Sequence, residues 1–252
     1  MPLLSGGPRA ARGPVAPLLP GLPEGRGPRR HRGAAARVSG SGGPGGLAVS
    51  TRCFWLEPIG QARLYLRRAV VSGEGRCALA HGYHDARQSY VEVPARYVDG
   101  TYMVDGPRDR RDVPADVVWP TACACGYAFT ATDLWQVFAE PLYRRGDTGA
   151  IVIQDEAGPG AMWDAEYLHD QPQFCGPDGR SVHVVLPNGR VWHIDGRASN
   201  CTDPGEWTHR CWVRHGEPPN VTVDKKGHTC RAGAGSIQAG DYHGFLQQGV
   251  LT

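Results

Sequence analysis

Residues 117–149, VVWPTACACGYAFTATDLWQVFAEPLYRRGDTG, carry the strongest local signals in the chain. Cys123-Ala124-Cys125-Gly126 has the form of a metal knuckle: a glycine after the second cysteine lets the backbone turn so that N–H groups point at the sulfur. Thr130 with Asp133 is close to a capping box. Leu134, Trp135, Phe138 and Leu142 then space as a buried stripe, predicting a helix over 130–142 that Pro141 bends or ends. Arg145–Gly149 predicts a turn into a strand at 150–154, and the Arg-Gly-Asp triplet reads as part of that turn rather than as an adhesion motif.

Upstream, Cys53-Phe54-Trp55-Leu56 predicts a short strand stopped at Pro58. Residues 59–71 set Leu64, Leu66, Val70 and Val71 against arginines at 63, 67 and 68, predicting a second short helix. Residues 89–98 alternate like a strand broken at Pro94, and 99–116 read as loop. Downstream, residues 181–195 (SVHVVLPNGRVWHID) predict a hairpin. Val182, Val184 and Leu186 share a face, Pro187-Asn188-Gly189 turns, and Val191, Trp192 and Ile194 return. The last 24 residues are glycine-rich and irregular, with Phe245 and Leu246 as expected anchors.

Composition divides the chain sharply. Residues 1–48 hold twelve Gly, eight Pro, seven Arg and one Glu, with no Cys or aromatic residue, and are expected to be disordered. This segment also reads as translated GC-rich upstream sequence, with a native start at Val49. The remaining residues carry a net charge of −4, which argues against binding driven by phosphate neutralisation. No apolar run approaches the roughly twenty residues of a membrane helix. Without an export signal, eight cysteines read as metal ligands or buried thiols rather than disulfides. The Asn200-Cys201-Thr202 and Asn220-Val221-Thr222 sequons are accordingly taken as chance.

Four thiolates, Cys53, Cys77, Cys123 and Cys125, suit a tetrahedral zinc site, with His81 or His84 as substitutes for one of them. A second cluster, Cys201, Cys211, His215, His228 and Cys230, has spacings that fit one ion without being diagnostic, and His209 lies among them. The same region offers a catalytic alternative. His193 and Asp195 share a strand face, Ser199 or Cys201 supplies a nucleophile with His193 or His209 as base and Arg197 to bind an anion, and Cys211 stands nearby. No nucleophile elbow, zinc-protease helix motif or phosphate loop accompanies them. Arg197, Arg210 and Arg214 beside Trp207 and Trp212 form a candidate binding set for a phosphate backbone and bases, diluted by neighbouring Asp and Glu.

Several of these runs, Cys53–Pro58, Gly82-Tyr83-His84, Cys123–Tyr127, Gly160–Ala165, Asp195–Thr202 and His209–Gly216, together resemble a family of proteins of actinobacterial phages and prophages that has no assigned activity. The resemblance spans residues 51–252 and implies a bacterial cytoplasm, a phage or prophage context and a start near Val49, but no functional residues. The expectation is an α+β protein in two parts that make one unit. Residues 49–145 would be a small zinc-stapled part with one or two helices, and 146–252 a β-hairpin-rich, loop-rich part. Its expected role is that of a zinc-stabilised accessory protein binding a protein or nucleic-acid partner. The alternative is a small metal- or Cys/His-dependent hydrolase or transferase with its site in 193–230.

Overall fold

The computed structural model describes residues 50–70, 77, 83–98, 101–198, 200–203, 205, 209–225, 230–231 and 235–252. The expectations for residues 1–48, a start at Val49, His81, Ser199, Trp207 and His228 lie outside the described residues.

Strands β1 (Thr51–Arg52), β2 (Phe54–Ala69), β3 (Asp85–Val98), β4 (Thr101–Val104), β5 (Leu134–Arg145) and β6 (Ile151–Val152) come first. A four-residue helix, α1 (Gln154–Ala157), precedes β7 (Ala161–Asp164), β8 (Val182–Val185) and β9 (Val191–His193). Six short strands follow: β10 (Val213–His215), β11 (Thr222–Asp224), β12 (Ile237–Ala239), β13 (Tyr242–Gly244), β14 (Leu246–Gln247) and β15 (Val250–Leu251). The molecule is therefore mostly β, and the expected α+β class with one or two helices is wrong. No helix among the described residues is long and apolar enough to cross a membrane.

Both expected helices are long strands. In β2, Ala62, Leu64 and Leu66 are buried at every second position. A period of two puts them on one sheet face, whereas a helix would place Leu64 and Leu66 on opposite sides. β3 pairs with β2 along one edge from Gln61↔Pro94 to Ala69↔Asp85, and β5 along the other from Ala62↔Pro141 to Ala69↔Leu134. Of the arginines that looked like a helix's polar face, two make cross-strand ion pairs, Arg63–Glu92 at 3.0 Å and Arg67–Asp85 at 2.9 Å. The third, Arg68, is buried, donates to the Thr130 carbonyl and lies over the Trp135 ring. In β5, Val137 is buried while Leu134 is exposed, and Phe138 stacks on Tyr65 across the strands at 5.2 Å. The Thr130–Asp133 signal is real but local: the Asp133 carboxylate accepts from the Thr130 N–H and the Asp133 N–H donates to the Thr130 carbonyl. Those bonds close a turn that leads into a strand.

Prolines break the ladder at one level. Between Pro58↔Tyr143 and Ala62↔Pro141, β2 advances four residues while β5 advances two, and Pro94 of β3 stands opposite Gln61. Gly60, inside the resulting bulge, has φ +69, a conformation that favours glycine.

The N-terminal end of β2 holds the second half of the chain. Phe54 and Trp55 pair in parallel with Ala161 and Met162 of β7. β7, β8 and β9 continue the sheet antiparallel, so that its main path runs β4-β3-β2-β7-β8-β9. The predicted hairpin is β8–β9, with His183↔His193 and Val185↔Val191 in register and Gly189 at φ +78 in its turn. Short ribbons β10–β11 and β12–β13 and the strand set β1-β15-β14 complete the fold. One core cluster joins Cys53 to Val184, Ile194, Trp212, Leu246 and Leu251, and another joins Leu56 and Tyr143 to Trp163 and Val185. Both clusters thus draw residues from either side of position 145. In the tail, Leu246 is an anchor, but Phe245 is 46% exposed.

Candidate metal centres

The described residues contain two groups of four side chains whose ligand atoms all lie within 4.8 Å of one another. Each could hold a metal ion. One group lies in each half of the chain, so the staple is not confined to an N-terminal part as expected.

The first is Cys77, His84, Cys123 and Cys125. Its knuckle forms as the sequence suggests. The Cys123 N–H donates to the Tyr127 carbonyl and the Gly126 N–H to the Cys123 carbonyl, both at 2.9 Å, with Gly126 at φ +92. His84 sits where β3 begins, pinned by the Val70 N–H on its carbonyl at 3.0 Å. Its ring stacks on Tyr127, centroids 4.1 Å apart and 8° from parallel, which aims Nδ1 to within 3.1 Å of Cys125 Sγ. Cys77 Sγ is 3.7 Å from Cys123 Sγ, far beyond the about 2.05 Å of a disulfide. Burial opposes ionisation of Cys123. Bonds from the backbone N–H groups of Cys125 and Asp85 and from His84 outweigh it, and the thiol lies below its ordinary pKa.

Cys53 is not in this group. It belongs to the hydrophobic core, 4% exposed, and burial pushes its thiol up to about 12. Its N–H donates to the Gly249 carbonyl at 2.7 Å, as part of the seam where the two ends of the fold meet. The fourth position goes to His84, which sequence reading offered only as an alternate.

The second group is Cys201, His209, Cys211 and Cys230. Cys211 is tethered by its N–H to the Gly196 carbonyl at 3.1 Å and Cys201 by its N–H to the Ala198 carbonyl at 3.1 Å. The Asp203 N–H approaches Cys201 Sγ at 3.4 Å, and the Arg231 N–H binds Thr202 Oγ1 at 2.8 Å beside Cys230. Cys211 and Cys230 sulfurs are 3.9 Å apart. Burial is the main reason the Cys211 thiol is raised to about 11, with Cys201 and Cys230 adding to it against the Ala198 N–H. His215 is excluded by strand geometry. β10 extends away from Cys211 at about 3.3 Å per residue, and His215 pairs instead with Asp224 Oδ1 at 2.9 Å across the β10–β11 ribbon. His209, two residues before Cys211 and also among the residues the sequence offered for this cluster, supplies the imidazole.

Of the described residues that suggested catalysis, Cys201, His209 and Cys211 come together in the second quartet, while His193 and Asp195 are engaged in other contacts. His193 Nε2 lies 2.7 Å from the Phe174 carbonyl. A carbonyl only accepts, so that nitrogen carries the proton and cannot serve as a base toward Ser181 Oγ, 3.4 Å away. Burial holds His193 below its ordinary pKa. Asp195, 2% exposed, receives Arg214 Nε at 3.1 Å, and burial raises its carboxyl.

The described candidate binding residues, Arg197, Arg210, Trp212 and Arg214, are likewise engaged internally. Arg214, its side chain 4% exposed, bridges Asp195 and both oxygens of Asp178. Arg210 donates to the Pro172 carbonyl and Arg197 to the His209 carbonyl, and Trp212 is buried against Trp192. Compared with known proteins, the chain matches no family model, no curated protein and no solved structure.

Proposed function

We propose that this is a zinc-stabilised accessory protein of the phage type its sequence resembles, acting by binding a partner, with structural zinc in both quartets. The observation that carries the reading is that each quartet is a Cys3His set drawn to within 4.8 Å. Zinc with Zn–S bonds of about 2.3 Å gives a tetrahedral sulfur–sulfur edge of roughly 3.8 Å, and the two closest pairs stand at 3.7 and 3.9 Å. Four protein ligands leave zinc no position for a reactive water, so such sites fold loops rather than hydrolyse bonds. The net charge of −4 beyond residue 48, and the internal engagement of Arg197, Arg210 and Arg214, favour a protein partner over nucleic acid.

Elemental analysis of the purified full chain is expected to give about two equivalents of zinc. His84→Ala and Cys211→Ser should each lose one, while Cys53→Ala keeps both. Less than half an equivalent in the unaltered protein would refute the reading. Anisotropy titrations with mixed-sequence DNA and RNA at about 0.15 M salt should show no saturable binding, and tight binding there would exchange the protein partner for a nucleic acid.

A further inference from the structure

The proline-broken level of the sheet opens a cavity of about 260 Å³ between the β2 bulge, the end of β3, β4, β5 and the segment after β7. Proline has no N–H to give the ladder, and Pro58, Pro94 and Pro141 gather where β2 bulges. The strands separate there instead of packing shut. None of the lining residues belongs to either Cys/His quartet.

We infer that this cavity is a binding site for an alkylammonium head group, held by the rings of Tyr97, Tyr102 and Tyr143 and by the carboxylates of Asp164 and Glu166. Tyr97, Tyr102, Tyr143, Asp164 and Glu166 line one small space, and Tyr97 and Tyr102 lie 5.0 Å apart at 44°, like adjoining walls. Asp164 Oδ1 already accepts from the Ser181 N–H at 2.9 Å and stands 2.8 Å from His169 Nε2. The lining cation, Arg96, is directed to Asp105 at 3.4 Å. Glu166 is the informative residue: among the described residues, nothing donates a hydrogen bond or an ion pair to its carboxylate. Burial, and then Asp164, hold it above its ordinary pKa against the opposing pull of His169. Tyr102 Oη is also buried without a partner.

A cation removed from water is attracted both to the ring quadrupoles and to the carboxylates, and quaternary ammonium groups are held by aromatic cages for this reason. An anion would meet Glu166 and Asp164 with repulsion. The volume lies below the roughly 300–1,000 Å³ of drug-sized pockets, which suits a head group rather than a large ligand. The same chemistry occurs in choline-like quaternary groups and in lysine-like primary amines, so the test carries one probe for each.

Titration calorimetry of the full chain with choline and with butylammonium is expected to show saturable binding of at least one of them. The neutral isostere 3,3-dimethylbutan-1-ol should bind about tenfold more weakly or not at all, as loss of the cation–π and carboxylate attraction predicts. Tighter choline binding assigns a quaternary group, and tighter butylammonium binding a primary amine; either outcome supports the site. Glu166→Gln and Tyr97→Leu should each weaken binding by roughly tenfold, with zinc content and circular dichroism unchanged. Equal binding of the neutral alcohol, no saturable binding of either ammonium, or an undiminished affinity in Glu166→Gln would overturn the assignment. Because the cavity and the quartets share no residue, ammonium binding and zinc content succeed or fail separately.

Discussion

Arg214 shows how much a single side chain holds in this protein. Its guanidinium reaches Asp178 at 2.7 and 3.1 Å and Asp195 Oδ1 at 3.1 Å, while Asp195 Oδ2 is buried without a hydrogen-bond partner. Removing the cation would strand Asp195 in a dry site, so Arg214→Ala is expected to cost about 3–5 kcal/mol in urea denaturation. Arg214→Lys should recover only part, since an ammonium lacks the planar fork by which two nitrogens meet Asp178 while Nε meets Asp195. A second residue-scale consequence concerns pH. His183 Nε2 is buried without a partner, and burial, then His193, push its pKa down to about 3. In the unfolded chain the same imidazole titrates near 6.5. Between those values the unfolded state holds the extra proton. This contribution to stability is therefore fully present above about pH 6.5 and falls by about 1.4 kcal/mol per pH unit on acidification. His193, also depressed, adds in the same direction. Replacing His183 with Asn should flatten the slope of denaturation free energy between about pH 6 and 4; an unchanged slope would show that His183 does not carry it.

At the scale of elements, β2 and β5 are where local pattern and final structure part. Both carry arginines or a cap-like turn at helical spacing, yet each is saturated by pairing with a distant strand. The distinction is measurable. Leu66, fully buried in β2, should cost about 2–5 kcal/mol when changed to Ala. Leu134→Ala should change stability by less than about 0.5 kcal/mol, because in β5 it is 39% exposed rather than on a buried helical stripe. A cost at Leu134 comparable with that at Leu66 would contradict the strand assignment. The β8–β9 hairpin behaves differently, because its turn residues and alternation agree with each other and with the sheet. The Cys123–Gly126 knuckle is equally local, and both were legible for that reason.

The whole molecule is closed by its ends. β1 pairs with β15, Thr51 opposite Leu251, and the core cluster holds Cys53 together with Leu246 and Leu251. Deleting residues 246–252 would uncover that core and the β1 edge, and is expected to abolish the cooperative thermal transition. A retained transition would show that the closure is dispensable. The sequence by itself determined what could be read within a few residues: the hairpin turn, the knuckle, the proline positions and the inventory of thiols and imidazoles. Tertiary structure decided the rest. It turned two amphipathic runs into strands, because edge hydrogen bonds and a shared buried face outweigh weak helical propensity. It placed Cys53 in the core, put His84 in its place in the first quartet, and brought His209 rather than His215 to the second. Spacing along the chain sets which ligands are near in sequence. Which of them converge depends on where strands separated by tens of residues pair, and the tyrosine-lined cavity lies where the β2–β5 ladder shifts register between Pro58 and Ala62.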